Sequence, residues 1–207
     1  MARVDVSAAS AISRSRRNPW SDAEVERHWD AVAHIYTKEN DRVRDAHEQR
    51  FVVAVPRLEL VPQARVLNIS SRDAGAESYL RSACGDVEII HAEISKGLIE
   101  VAHAFCPQAR LVKLANYSRL PFSDGEFDRV LSLETLEHVS DPAAFLSELH
   151  RVASPGATLV LSCPPATAEM PYRVYTALFG GHGEGPHRFL PSREVLGLLR
   201  ATGWQVT

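Results

Sequence analysis

Cysteine is scarce in this chain, and the few present stand apart. Among 207 residues there are three, Cys84, Cys106 and Cys163, with no Cys-x-x-Cys spacing. That excludes a disulfide framework and a cysteine-paired zinc or redox motif, and it suits buried, reduced thiols in a cytoplasmic protein. No apolar run approaches the ~18 residues needed to cross a bilayer. The N-terminus lacks the apolar core of a secretory signal. Neither sign of charge prevails: 23 basic against 26 acidic residues leave a formal net charge of −3, without the basic excess of a nucleic-acid binder. No internal repeat is visible. The expectation is a soluble cytoplasmic protein with no membrane or nucleic-acid partner, long enough for one substantial core.

What is present is an alternation of short strands and helices. Residues 1–19, rich in Ser, Ala and Arg, read as a disordered tail. Ser21 and Glu24 form a Ser-x-x-Glu capping box, and Val25, Trp29, Val32 and Tyr36 follow on one helical face. Residues 20–58 therefore read as a helical N-terminal layer, and 59–207 as an α/β domain. Strands are predicted at Val66–Ser70, Val87–His91 and Leu111–Ala115, with a helix at Ala76–Ala83 and another presenting Leu98, Val101, Ala102 and Phe105.

The clearest segment is Glu126 to Pro165. Phe127, Val130, Leu131 and Leu133 make a strand; Asp141 caps a helix begun by Pro142; Phe145, Leu149 and Val152 form its apolar face. Ser154-Pro155-Gly156 ends it, and Ala157–Cys163 is the next strand. Strand–helix–strand with a short return is a parallel crossover, so the fold class is a doubly wound, mostly parallel α/β sheet. Further on, Ser192 is expected to cap a helix closed by Gly203. Trp204–Thr207 is expected to begin a strand that stops, leaving the sheet truncated there.

With FDRVLSLETLEHVSDP, LPFSDGEFD, HAEIS and RFLPSREVLGLLRATGWQV in hand, the chain resembles class I S-adenosylmethionine-dependent methyltransferases of the type 11 domain over roughly residues 60–207. The resemblance implies a cofactor at the carboxyl ends of the strands, a methyl-accepting small molecule, and helices of the N-terminal layer closing over both. It also implies which residues hold the cofactor. Glu93, ending the second strand, stands at the acid that accepts hydrogen bonds from the ribose hydroxyls. Ile94 would line the adenine, Asn116 would accept from its amino group, Tyr117 would stack on it or obstruct it, and Leu133 would lie against the cofactor. One element departs from the family. Where the glycine-rich loop should follow the first strand, the glycine positions hold Ser70, Arg72 and Ala74, with Gly75 one place late, and Asn68 replaces the usual acid. A side chain there strains a left-handed turn by ~1 kcal/mol or more, although Arg72 offers a charged partner for the methionine carboxylate.

Two mechanisms follow for Glu134, Glu137 and His138. Ubiquinone-type O-methyltransferases use such a Glu-x-x-Glu-His cluster to hold a divalent cation, here Mg²⁺, which acidifies the acceptor hydroxyl. Without a metal, His138 is the candidate general base. GGHGEGP, residues 180–186, reads as a flexible loop rather than a nucleotide-binding motif, and His182 and His187 lie where acceptors enter. The function expected is methylation of a small molecule, most readily on oxygen. The rivals are a methyltransferase-like binding or assembly protein that no longer transfers methyl, and a non-methylating enzyme such as a cyclase.

Overall fold

A computed structural model of the chain describes residues 20–42, 44–170 and 188–207. Two helices come first, α1 (Asp22–Arg42) and α2 (Arg44–Ala54), then a 3₁₀ turn at Val55–Leu58. The alternating part runs β1 (Arg65–Ile69), α3 (Ala76–Ala83), β2 (Glu88–Glu93), α4 (Lys96–Phe105), β3 (Leu111–Lys113), β4 (Phe127–Leu133), α5 (Pro142–Val152) and β5 (Ala153–Ser162). A short 3₁₀ turn (Ala166–Ala168) and α6 (Ser192–Ala201) complete the described elements. The glycine-bearing stretch with His182 and His187 lies outside the described residues, as does the segment 1–19.

All five strands are parallel, in the order β3-β2-β1-β4-β5. The chain starts at β1 in the middle, builds outward to β3, then returns to β4 on the other flank. Strand periodicity divides the apolar residues between two faces. Leu67, Ile90 and Val130 join Phe145, Leu149 and α1's Val25 and Trp29 in the larger core. Their neighbours Val66, Ile89 and Leu131 turn the other way, to Ala54, Leu58 and Leu80. Helices thus cover both faces, which is why the middles of these strands carry apolar residues on both sides rather than on one.

The local signals act as their chemistry demands. Ser21 N–H donates to Glu24 Oε2 at 2.7 Å, while Glu24 N–H reaches Ser21 Oγ at 3.4 Å, so both halves of the capping box form. Asp141 Oδ1 accepts from the N–H groups of Ala143 and Ala144, each at 3.1 Å, at the start of α5. The end of α6 closes through Gly203, whose φ of +97° lets Trp204 N–H reach Leu199 C=O at 3.0 Å, a Schellman ending. A side chain at 203 would also strike the His150 ring, 2.9 Å from an ideal Cβ.

Four expectations need correction besides the break expected at Ser154-Pro155-Gly156, which lies inside β5. Phe105 is 64% exposed, because it is the last residue of α4, while Leu98 and Ala102 carry the buried face. The third strand stops at Lys113; Leu114 N–H makes the closing bond to β2, at Glu93 C=O, and no residue beyond it pairs. Ser192 is the first residue of α6, not its cap, and Pro191 in the cap position makes no side-chain bond. Trp204–Thr207 forms no strand: Trp204 Nε1–H donates to Leu146 C=O at 3.1 Å, tying this end to α5.

Candidate functional site

The loop after β1 keeps a shape its residues resist. Ser70, Arg72 and Ala74 have φ of +53°, +54° and +59°, the left-handed region at alternate positions, each costing roughly 1–2 kcal/mol for a residue with a Cβ. Hydrogen bonds to β2 and within the loop impose that path. Ser71 N–H donates to Ala92 C=O, Arg72 N–H to Glu93 Oε2 at 2.9 Å, and Ala74 N–H to Ser71 C=O. Asn68, in place of an acid, turns inward instead and meets His91 Nδ1 at 3.0 Å.

At the end of β2, Glu93 is fully buried. Its Oε1 accepts from Ile94 N–H at 2.8 Å and Ser95 N–H at 3.0 Å, its Oε2 from Arg72 N–H. Ile94 is buried beside it. Tyr117, 2% exposed, reaches from the end of β3 across the end of β2, and its hydroxyl lies 3.0 Å from Ser70 Oγ. Burial, and then the neighbouring Glu93 carboxylate, push the phenol's pKa well above its ordinary value. Asn116 spends its amide oxygen on its own turn, accepting from Arg119 N–H at 2.7 Å and Ser118 Oγ–H at 3.2 Å.

Across these loops lies α1. Asp22, Glu26 and Asp30 are spaced by four and share a face. Asp22 accepts from Tyr117 N–H at 2.8 Å and Ser140 Oγ–H at 2.9 Å. Glu26 pairs with Lys113 at 2.8 Å, and Asp30 accepts from Ser95 Oγ–H at 2.6 Å and Gly97 N–H at 3.0 Å. Gly97 permits this approach, since a Cβ there would sit 2.8 Å from that of Ala33. Between the acids, the Trp29 ring receives the Arg72 guanidinium at 3.7 Å and the His138 ring edge-on at 5.6 Å. Sequence reasoning found the apolar stripe of α1 but missed its acidic one, although the i, i+4, i+8 spacing was there to read.

Beyond β4 the three expected ligands diverge. Glu134, at φ +49°, accepts from Ser162 Oγ–H at 2.6 Å, while its N–H donates to Ser162 C=O. Glu137, 2% exposed, lies 3.9 Å from His138 Nε2, and its Oε2 has no partner. Burial first, then the charge of Glu134, raise its pKa to about 8. The same two acids, after burial, push the Cys163 thiol up to about 11. Among the described residues no three His, Cys, Asp or Glu side chains gather to hold a metal ion. The donor set therefore does not fit Mg²⁺, because Glu134 is drawn off to β5. Leu133 also turns from its expected place, facing a cavity of about 460 Å³ with Arg50, Val53, Val160 and Leu161 on the α2 side.

A strained loop after β1, an acid at the end of β2 and the order 3-2-1-4-5 coincide with a sequence match: residues 69–161 match the methyltransferase domain family. Over those residues the chain is similar to class I methyltransferases. A demethylmenaquinone methyltransferase of Clavibacter sepedonicus is 31% identical over 144 residues, 66% of this chain and 58% of that protein. The chloroplastic tocopherol O-methyltransferase of Arabidopsis thaliana is 32% identical over 102 residues, 47% of this chain and 29% of that one. This chain thus spans less than two thirds of either relative. Among solved structures, a chain of the Haloferax volcanii complex between the Trm112 methyltransferase activator and a methyltransferase superposes with a TM-score of 0.71 at 21% identity, covering 84% of this chain and 75% of that one. The [4+2]-cyclase SpnF superposes at 0.68 and 17%, covering 89% and 73%. At these identities the structures share the fold alone.

The edge where open α/β sheets take ligands carries buried polar atoms with no partner: Trp29 Nε1, Ser71 Oγ, Arg72 Nη1 and Glu137 Oε2. Buried polar groups are nearly always bonded, so such orphans need an explanation. Two are donors by nature, one a hydroxyl and one a carboxyl oxygen. The two donors and the hydroxyl fit the carboxylate of an α-amino acid, the end of the family's cofactor expected here. The ribose side fits in residue type through Glu93, but Tyr117 covers it.

Proposed function

We propose that the chain transfers a methyl group from S-adenosylmethionine to an oxygen of a small-molecule acceptor. The observation that carries this reading is the loop after β1, which holds left-handed backbone at three positions where the family has glycine, next to the Glu93 carboxylate. Loss of the function would remove the reason to tolerate that strain. The bound cofactor supplies a methyl made electrophilic by its sulfonium. Everything else falls to the chain. Glu93 receives the ribose hydroxyls and Ile94 packs beside the adenine. Arg72, with Ser71 and Trp29, takes the carboxylate through charge-assisted bonds. Ser70 and Tyr117 border the same groove, and Asn116 contributes backbone rather than its amide.

Proton removal from the acceptor falls to the pair Glu137 and His138. Glu137 keeps its proton below about pH 8, so transfer routed through its carboxylate rises as pH rises through that value. His138 serves as base where the imidazole accepts first. Relatives named for tocopherol and demethylmenaquinone support a small-molecule acceptor, and the cavity beside Leu133, lined by Val53, Val160 and Leu161 together with Arg50, Arg57 and Glu134, is of a size suited to one. No helix among the described residues is long and apolar enough to cross a membrane.

Calorimetric titration with S-adenosylmethionine and S-adenosylhomocysteine tests the reading. Glu93→Ala should weaken binding by about 1–3 kcal/mol, the loss of a charged hydrogen-bond acceptor. Absence of binding at millimolar ligand, in the wild type and in the variants described below, would leave the binding-protein alternative in its place.

A further inference from the structure

We propose that α1 is a strap that shuts the cofactor groove on the chain's own side chains, so that the ligand binds only when the strap lifts. The proposal rests on the cofactor reading above and adds to it a step before binding. Each loop that follows β1, β2, β3 and β4 is fastened to α1. Arg72 after β1 stacks on Trp29; Ser95 and Gly97 after β2 donate to Asp30; Tyr117 after β3 donates to Asp22; Ser140 and His138 after β4 meet Asp22 and Trp29. Under the strap, Tyr117 lies over the end of β2 with its hydroxyl on Ser70, and Ser70, Ser71, Glu93, Ile94 and Tyr117 are all buried. The crevice that the fold otherwise presents to a ligand is filled from within.

The closed arrangement is also incomplete. Its anchors are charge-assisted, yet it buries Trp29 Nε1, Ser71 Oγ, Arg72 Nη1 and Glu137 Oε2 without partners. A closed state held at the rim and unsatisfied at the centre is one half of a two-state element. An incoming carboxylate satisfies Trp29 Nε1, Ser71 Oγ and Arg72 Nη1, and the Arg72 cation gives up the Trp29 face. Apparent affinity then equals the intrinsic affinity scaled by the fraction of open molecules. Removing the rim anchors raises that fraction without touching the groups that receive the ligand.

The test compares the wild type with an Asp22→Ala, Asp30→Ala double variant, using S-adenosylhomocysteine as probe. Ser95 still caps α4, accepting from Leu98 N–H at 3.1 Å, so the fold has its own support there. The double variant should bind about tenfold tighter or more. Its association rate should rise with ligand past the plateau that strap opening imposes on the wild type. Without ligand, hydrogen exchange of α1 should be faster in the variant. Should the double variant fail to fold, Tyr117→Phe keeps the ring and removes the bond to Ser70. It should tighten binding about threefold. Equal or weaker affinity in a folded variant that still binds overturns the strap and leaves the cofactor reading intact. Binding in none of the three proteins overturns the cofactor reading, and the strap with it.

Discussion

Glu77 and Glu137 are two carboxylic acids about equally hidden, 5% and 2% exposed, and their surroundings send them in opposite directions. Glu77, on α3, holds His91 Nε2 at 2.8 Å and the Arg81 guanidinium at 3.0 Å, and His91 in turn meets Asn68 on β1. Its pKa is lowered, first by the hydrogen bond from His91 and also by Arg81, with burial opposing them. Glu137 has one free oxygen and a neighbouring acid, and rises to about 8. Burial alone therefore says little about a carboxylate's task. The paired acid is a fastening between α3 and the sheet, and the unpaired one is poised to exchange a proton.

The difference has a sign that unfolding experiments can read. Glu77 has its lowered value only in the folded chain, so its stabilisation is present above its unfolded value near 4.5 and is lost as pH falls. Glu137 works the other way. Between about 4.5 and about 8 the unfolded chain has released this proton and the folded one has not. Stability falls across that window, and the contribution is gone above about 8.

The largest effect is expected from breaking the paired side. Glu77→Ala leaves the buried His91 without its acceptor and should cost about 3–5 kcal/mol in denaturant unfolding at pH 7. A loss under 1 kcal/mol would mean that the network is incidental. Next, Glu137→Gln should stabilise by a few kcal/mol at pH 8.5 and hardly at all at pH 4, flattening the alkaline limb of the stability curve. An unchanged limb would place the titrating group elsewhere. The smallest effect belongs to Arg81→Met. Its guanidinium is nearly half exposed, so its bond to Glu77 should contribute only ~1 kcal/mol or less, and high salt should reduce that further.

What the sequence made legible was local or periodic. Asp141 with Pro142, Ser21 with Glu24, and the apolar face of Phe145, Leu149 and Val152 need only neighbours within a turn or two, and each forms as expected. The loop position was readable from Val66 and Leu67, and so was its strain. What escaped was set by partners far along the chain. Asp22 meets Tyr117 across 95 residues and Asp30 meets Ser95 across 65, so their helical spacing marks a shared face but names no partner for it. Glu134 looked like a ligand beside Glu137 because the two are close in sequence. Ser162, 28 residues on, decides otherwise. Phe105 misled because periodicity is blind to where a helix ends.

The three left-handed positions after β1 also bear on how such a loop drifts. Because β2 and the loop's own hydrogen bonds dictate its path, glycine can be gained or lost at Ser70, Arg72 or Ala74 one codon at a time, without a concerted rebuilding of the turn. Its shape is held while its letters differ from the family's. A kinship test keyed to glycine would pass over chains of this sort, and one keyed to the alternating sign of φ would find them.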